Sequence, residues 1–480
     1  METIALKRRY DDLFRPNRFV PLFLIFYVLY VSGLRSWNTV TMVTLAVAVF
    51  WSLMNDEVTF VFLLISLHTA ATLDYRWLDT AMLGRWIFLF IFTAKAFLPL
   101  FYRVKPIKYS ALHYGIIVYG IIVLFSTVGA FVMSYSIYRT ISLWWLIIAL
   151  LFYLWRYMEN RQKIITWFKI AVIVHTFFLV MGFFAQDYME IFLSGNFRYE
   201  GVYCNPNMLG LSLLFYVPAS YFLFVYERRN PTGRFMRRFY LFSFSIGILS
   251  LLISGSRSSL LGVLIGCMVA LSLHYRNRFI LVAAIAFLVL GAMYAFIQQA
   301  VTSQFFENVI VREDTLETMS GRSELWRKSY KLFKERTIIG WGYGTSEFVL
   351  ATDGNRNLID LSERWNLHTH SSFFRSLLET GILGTTMLVI FIFAVPLRIM
   401  NMERRIHSVE LNMTLLTMTA IFVACILNSF LESWLFSVGS VATFLFWWVT
   451  MLIYKIDSEI DNYVEPGDTY RQPGLFLLEK

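Results

Sequence analysis

Two histidines, His368 and His370, stand two positions apart in a polar stretch of residues 300–371. In an extended segment side chains two apart point the same way, whereas in a helix they diverge. As a metal pair they would need a third ligand such as Asp360 or Glu363. A single histidine acting as general base at neutral pH is the better hypothesis, and an ordinary interfacial loop histidine is the alternative.

Several arginines could bind an anion. Arg198 and Arg322 lie in polar segments, and Arg257 lies at the mouth of two apolar runs, where a charge is costly unless it meets a partner or a watery cavity. Arg85 raises the same question inside another apolar run. Guanidinium groups hold phosphate oxygens with two parallel donors, so arginines converging from separate elements suit a diphosphate. Each arginine alone is more often a solvated or snorkelling surface charge.

The other polar features of this stretch are a glycine pattern and two carboxylates. Gly340, Gly342 and Gly344 lack the strand before and helix after that a dinucleotide-binding loop needs, so they indicate a helix stop and a tight turn. Glu379 begins the next apolar run, where a carboxylate could orient the histidine or cap a helix start. Glu432, on a later turn, is a weaker candidate for the same pocket.

The polar stretch also predicts one amphipathic helix. Ser323 is a plausible N-cap and Gly340 a plausible C-terminal stop. One face carries the aromatic residues Trp326, Tyr330 and Phe333, and another carries the basic residues Arg327, Lys331 and Lys334. Such a helix is expected to lie along a membrane surface.

Composition defines what surrounds these residues. With 58% hydrophobic and 15% charged residues among 480, the chain is too apolar for a soluble globule, and we predict an all-α polytopic integral membrane protein. Crossing the ~30 Å hydrocarbon core takes about 20 residues. The predicted spans, about 12–14 in number, lie near 19–34, 38–54, 58–73, 81–101, 112–135, 140–157, 164–184, 207–226, 239–254, 258–274, 279–299, 379–397, 410–429 and 433–454.

The spans divide the chain into four parts. We predict a transmembrane bundle of about 11 spans over 1–299, an extracytoplasmic catalytic loop over 300–371, C-terminal spans over 372–455 and a cytoplasmic tail over 456–480. Basic residues precede the first span without a cleavage site, which indicates a retained helix. Three scattered cysteines give no disulfide or zinc pattern.

Charge distribution predicts the orientation. If the N-terminus is cytoplasmic, the basic clusters between spans all fall inside, and this accounts for the net charge of +10 without nucleic acid. The exception is the acidic turn Asn55–Glu57, which also falls inside. The features predicted outside are the loop near 185–206, the corner Ser254–Arg257, the 300–371 loop and the turn Ser429–Glu432.

The order of these motifs resembles that of the O-antigen polymerase and ligase family of bacterial membrane glycosyltransferases. The matching residues, within about 195–385, are Arg198 with Gly201, Asn205-Pro-Asn207, Ser256-Arg257, Gly321-Arg322 with Trp326, Gly340 with Gly342, and His370 followed by Glu379 and Gly381. One departure is Ser371, which stands where the family usually has Asn directly after the histidine. Serine still donates and accepts a hydrogen bond, which can be enough to fix the ring.

The resemblance implies a GT-C-like, inverting transferase that acts on the outer face without a metal or other cofactor. It implies His370 as general base and Arg257 and Arg322 as the catalytic groups that hold a leaving diphosphate. The expected substrate contacts are Arg198, Asn207, Trp326, His368, Glu379 and Arg85.

The partners follow from the same resemblance. A polyisoprenyl-diphosphate-linked glycan donor, a glycan acceptor and membrane lipid are expected, and nucleic acid is not. Other polysaccharide assembly proteins, such as a flippase or a chain-length regulator, are further candidates. The expected location is the bacterial cytoplasmic (inner) membrane, with multiple spans and both termini inside.

Three functions compete. The first choice is a polymerase that joins lipid-linked repeat units of an O-antigen, capsule or similar polysaccharide. A ligase that moves the finished glycan to another acceptor shares the donor chemistry, so motifs do not separate the two. A lipid-linked oligosaccharide transporter or flippase would place ionisable residues near mid-membrane on several helices, whereas here most lie at the outer ends.

Overall fold

The computed structural model describes residues 39–71, 78–100, 107–184, 198–229, 234–275, 322–355 and 367–464. This part of the chain is helical, and ten of its helices are long and apolar enough to cross a membrane. The predicted all-α polytopic class is therefore confirmed. The predicted spans 19–34 and 279–299, Asp360 and Glu363, and the tail beyond 464 lie outside the described residues.

Fourteen α-helices occur in the described residues. In chain order they are α1 Thr39–Met54, α2 Asp56–Thr69, α3 Leu78–Lys95, α4 Ala111–Val128, α5 Met133–Tyr157, α6 Arg161–Phe183, α7 Pro206–Arg229, α8 Arg234–Ile253, α9 Arg257–Tyr275, α10 Arg322–Glu335, α11 Ser346–Thr352, α12 Ser372–Arg405, α13 Val409–Ser429 and α14 Val441–Ser458. Residues Ala149–Leu154 within α5 form a π-helical segment.

Polar groups gather at the two ends of the bundle. At one end, here the site end, hydrogen bonds link the loop 198–205 to the corner 254–256 and, through Asn207 at the start of α7, to the loop 430–440. At the opposite end, Asp457 pairs with Arg398 at 2.5 Å and Arg405 at 3.1 Å. Asp56 also lies at that end and pairs with Lys95 at 2.7 Å, which explains why an acidic turn can sit among basic ones.

Helix α2 is short and enclosed by the bundle. Its residues from Val58 to Thr69 are buried, and its last turn reaches the loop 198–205. There Cys204 N donates to Ala71 O at 2.9 Å, and the Tyr203 hydroxyl lies 2.9 Å from Nδ1 of His68. The loop is thereby fixed to the end of α2.

Three predicted boundaries at the site end are wrong. The span predicted at 433–454 begins at Val441, and residues 430–440 form a loop. Hydropathy predicts membrane here because the loop contains apolar residues such as Trp434 and Leu435, which the structure buries inside the protein. The span predicted at 112–135 ends at Val128, and α5 begins at 133 instead of 140.

Helix α12 begins seven residues before its predicted start at Glu379 and is kinked at Gly381. Gly381 has φ +63° and ψ −160°, so the regular helical hydrogen bonds cannot continue through it. Trp341 N donates to Leu378 O at 2.8 Å and Gly342 N to Glu379 O at 3.0 Å. On the other side of the kink, Ile382 N donates to Thr337 O at 2.8 Å. The segment 337–342 thus satisfies backbone groups that the kink releases.

The predicted turn at the alternating glycines is confirmed, since Gly340, Gly342 and Gly344 all have positive φ. The helix before it is shorter than predicted, because α10 ends at Glu335 and not near Gly340. The residues between have to leave the helix because their backbone pairs with the kink in α12.

Helix α10 packs on protein as well as lying near the surface. The Trp326 ring stacks on Phe374 with centroids 5.4 Å apart, and Phe333 is buried. Tyr330, the third aromatic residue of the predicted face, is 49% exposed. Part of the predicted membrane-facing surface therefore holds α10 against α12.

Candidate functional site

Glu432 is the centre of the polar cluster at the site end. Its Oε1 accepts from Arg322 Nη2 at 2.7 Å and from Asn207 Nδ2 at 3.1 Å. Its Oε2 lies 3.5 Å from His370 Nδ1. The loop 430–440 thus joins α10, α7 and the segment before α12, which are far apart in sequence, at one carboxylate.

Arg198 donates hydrogen bonds to the corner that precedes α9. Its Nε donates to Ser254 O at 3.0 Å, and its Nη2 donates to Gly255 O at 3.1 Å and to Asn207 Oδ1 at 3.0 Å. Arg257, the first residue of α9, follows this corner directly and is partly buried. Arg198 therefore links the corner before Arg257 to Asn207, which in turn donates to Glu432.

His370 adopts an unusual backbone conformation, with φ +47°. Non-glycine residues enter this left-handed region at a cost of roughly 1–3 kcal/mol, and such residues cluster at functional sites. Neighbouring bonds hold it in place: Thr369 Oγ1 donates to Ser371 O at 2.9 Å, and Trp326 Nε1 donates to Thr369 O at 2.9 Å. Its side chain is 34% exposed, which leaves the ring accessible.

Ser371 and Ser372 attach this segment to the membrane helices. Ser371 is the N-cap residue of α12 and is extended. Ser372 Oγ donates to Glu432 O at 2.9 Å and accepts from the amides of Trp434 and Leu435, each at 3.2 Å. The start of α12 and the loop that carries Glu432 are therefore fixed to each other.

His368 has a different carboxylate partner from His370. Its Nδ1 lies 3.1 Å from Glu347 Oε1, and the two histidine rings are 6.3 Å apart between centroids. Burial alone would raise the pKa of the Glu347 carboxyl, but the hydrogen bond with His368 and the nearby arginine charges outweigh it and lower that pKa. The two histidines thus belong to two adjoining charge clusters.

Glu379 lies two turns inside α12 and is buried there. Its Oε1 accepts from Arg375 Nε at 2.8 Å and from the Ser346 hydroxyl at 2.7 Å. Arg375 also donates through Nη1 to Ser433 O at 3.1 Å and Ser437 Oγ at 2.9 Å. Glu379 therefore joins α11, α12 and the loop 430–440 below the cluster around Glu432.

Arg85 reaches the other end of the same loop. Its Nη1 donates to Gly439 O at 3.1 Å, and its guanidinium lies 5.0 Å from the centre of the Trp86 ring. Gly439, with φ +101°, leaves room for the guanidinium, since a Cβ there would come within 3.0 Å of it.

Two residues of this cluster, Glu432 and Arg375, carry little signal in the sequence. Glu432 was ranked low because a single carboxylate on a turn carries little signal, although it is the group on which the others converge. Arg375 was missed because it falls at the head of an apolar run. Its spacing of four from Glu379 is the ordinary ion-pair spacing of a helix and was the signal available.

The described side chains form a cationic, partly open cluster with a histidine beside it. Within the described ranges no group of three His, Cys, Asp or Glu residues could hold a metal ion. Guanidinium groups suit the binding of a phosphorylated ligand. An accessible imidazole beside them suits the transfer of a proton from a second molecule bound next to that ligand.

Fold and site together define a polytopic helical membrane protein with a cluster of arginine, histidine and glutamate side chains at one end of its bundle. Residues 242–389 match the family model described as O-Antigen ligase, and this segment contains Arg257, Arg322, His370 and Glu379. The match and the order of the motifs both indicate similarity to the O-antigen polymerase and ligase family. No curated protein matches the chain significantly.

The matched family model supports a glycan-transferring membrane enzyme. Together with the ten apolar helices, it points to the bacterial inner membrane.

Proposed function

We propose that this protein is a polymerase that joins polyisoprenyl-diphosphate-linked repeat units into a surface polysaccharide on the outer face of the membrane. The observation that carries the proposal is the convergence of Asn207, Arg322 and His370 on Glu432. Three separate elements bring a candidate base and a guanidinium to one place, as a two-substrate transfer needs.

In the proposed reaction, His370 removes the proton from an acceptor hydroxyl. The freed oxygen attacks the anomeric carbon of the donor, and the bond from that carbon to the lipid diphosphate breaks with inversion. Glu432 faces Nδ1 of His370, so Nε2 is the nitrogen directed to the acceptor, and the carboxylate stabilises the imidazolium that forms. The 3.5 Å separation is long, as such contacts often are without substrate.

Arg322 and Arg257 hold the leaving diphosphate in this proposal. Glu432 occupies one amino group of Arg322, and a guanidinium has five donors, so others remain for phosphate oxygens. Arg198 takes a different role from the direct contact that the sequence suggested. Because three of its bonds go to Ser254, Gly255 and Asn207, it positions Arg257.

Reconstitution with lipid-linked repeat units tests this function. The purified protein should convert single repeat units into a ladder of lipid-linked chains, and a deletion strain should carry surface glycan of one repeat unit. Long lipid-linked chains that accumulate untransferred in the deletion strain would indicate a ligase. Translocated substrate of unchanged length in proteoliposomes would indicate a transporter.

A further inference from the structure

A buried side-chain amide links helix α9 to the loop 430–440. The amide belongs to Asn428, near the end of α13, which is 1% exposed. Its Nδ2 donates to Ser258 Oγ at 3.0 Å and to Ser259 Oγ at 3.1 Å, both in the first turn of α9. Its Oδ1 accepts from Trp434 Nε1 at 2.9 Å. One side chain thus bonds to two elements that are distant in sequence.

The indole of Trp434 determines which way the amide of Asn428 faces. An indole nitrogen is a donor only, so the atom opposite it is the amide oxygen, and the amino group faces the two serine hydroxyls. All three hydrogen bonds therefore form in a single orientation of the amide. Because buried polar groups without partners are costly, this arrangement opposes rotation of the side chain.

Helices α9 and α13 are in close contact along the seam that continues from Asn428 into the bundle. A Cβ at Gly262 would overlap Ala424 O, and a Cβ at Gly266 would overlap Ala420 O. Glycine at these positions lets the two backbones approach. The seam fixes the helices along their length, and the bonds of Asn428 fix them at the site end.

Both sides of this link adjoin residues of the proposed diphosphate site. The first of the two serine partners directly follows Arg257 in the sequence. The tryptophan partner lies two positions after Glu432, which pairs with Arg322 at 2.7 Å. Asn428 therefore connects the backbone that carries Arg257 to the loop whose carboxylate holds Arg322.

We infer that Asn428 is a positioning residue that keeps Arg257 at a fixed separation from the Glu432–Arg322 pair. Two arginines bind one diphosphate together only when their spacing matches that of its phosphate groups. The inference rests on the proposed function, which assigns both arginines to the leaving diphosphate. Asn428 acts through its serine and tryptophan partners, which hold the segments on either side.

Binding of undecaprenyl diphosphate to the purified full-length protein, measured by native mass spectrometry, tests the inference. Trp434→Phe breaks the loop side of the link, and the double variant Ser258→Ala, Ser259→Ala breaks the α9 side. Each should raise the dissociation constant by roughly tenfold, as for the loss of one or two hydrogen bonds. Asn428→Leu, of similar size, should have the same effect. Wild-type affinity in all three would overturn the inference.

Combining the changes separates a shared link from independent contributions. The variant that carries Trp434→Phe with both serine changes should bind no more weakly than either parent, because each parent has already broken the same link. Losses of affinity that multiply would show that the two sides act independently and would overturn the inference.

Trp447→Phe is the matched control. Trp447 Nε1 donates to Leu435 O at 2.9 Å, so this change removes an indole bond to the same loop without touching Asn428. It should lower the midpoint of thermal unfolding about as much as Trp434→Phe while leaving the dissociation constant near the wild-type value. Equally weakened binding in the two tryptophan variants would reduce Asn428 to a purely structural role and overturn the inference.

The same measurements distinguish this inference from the proposed function. Wild-type protein that binds undecaprenyl diphosphate but makes no polymer would refute the polymerase alone. Polymer formation by wild-type protein, together with unchanged lipid binding in the link variants, would refute only the positioning role of Asn428.

Discussion

At the scale of single residues, the two neighbouring histidines have different surroundings. His370 faces Glu432 in the cluster that holds Arg322, and it has the strained backbone, whereas His368 pairs with Glu347. The proposed role of general base is therefore assigned to His370, and His368 serves as an internal comparison.

His370→Gln should lower the transfer rate by about 10²–10⁴-fold, the usual contribution of a general base. Chain formation by reconstituted protein measures the effect. His368→Gln is the matched control and should cost much less, because its ring pairs with Glu347 and not with Glu432. Equal losses in the two variants would remove the distinction between the histidines.

Glu432→Gln keeps the shape of the side chain and removes its charge. Because Arg322 loses its ion pair and His370 its carboxylate, we expect kcat/KM to fall by roughly 30- to 100-fold, as for the loss of one or two charge-assisted hydrogen bonds. Glu459→Gln changes a carboxylate that pairs with Lys455 at the opposite end and should leave transfer unchanged. Near-wild-type activity of Glu432→Gln would show that the convergence on this carboxylate is not functional.

At the scale of elements, the kink in α12 and the glycine turn depend on each other. The turn segment pairs with backbone groups on both sides of Gly381. His370 lies just before α12, and Trp326 lies in α10, the helix before the turn. This junction therefore fixes the position of α10 relative to the start of α12.

Gly381→Ala should destabilise this junction. A Cβ at that position would overlap Ile338 O, and the positive φ adds strain of about 1–3 kcal/mol. We expect a lower midpoint of thermal unfolding in detergent together with weaker transfer. Gly129→Ala is the control, because a Cβ at Gly129 meets open space and no strained φ. Equal stability of the two variants would count against a structural role for the kink.

At the scale of the whole molecule, the spans were predictable and the site was only partly so. A run of about 20 apolar residues is a strong signal of a membrane helix. The twelve predicted spans within the described residues all correspond to helices, and ten of those helices are long and apolar enough to cross a membrane. The loop 430–440 was not predicted, because apolar residues such as Trp434 and Leu435, which are buried in the protein, are as hydrophobic as residues of a membrane span. Arg322 and His370 were found from spacing and resemblance, but their meeting at Glu432 depends on contacts between distant segments, which no local pattern encodes.

The orientation predicted from charge can be tested with a native cysteine. Cys204 is exposed on the loop 198–205, whereas Cys267 is partly buried and Cys425 is buried. A membrane-impermeant maleimide should label Cys204 in intact cells once the outer barrier is permeabilised. Cys204→Ser should abolish the labelling, and Ser458→Cys should introduce a site that reacts only in inside-out vesicles. Labelling of Cys204 from the inside alone would reverse the predicted topology.

The shortness of α2 has a consequence for the energetics of the lipid. Its 14 residues rise about 21 Å from the opposite end, against a hydrocarbon thickness of ~30 Å. With Asp56 placed at the opposite hydrocarbon boundary, we expect the loop 198–205, which is fixed to the end of α2 through Ala71 and exposes Cys204, to lie roughly 9 Å below the site-end boundary. A diphosphate drawn down to that depth leaves bulk water for a medium of low dielectric constant, where its attraction to arginine is several-fold stronger. Activity should accordingly depend on bilayer thickness, since acyl-chain length sets how far the headgroup descends.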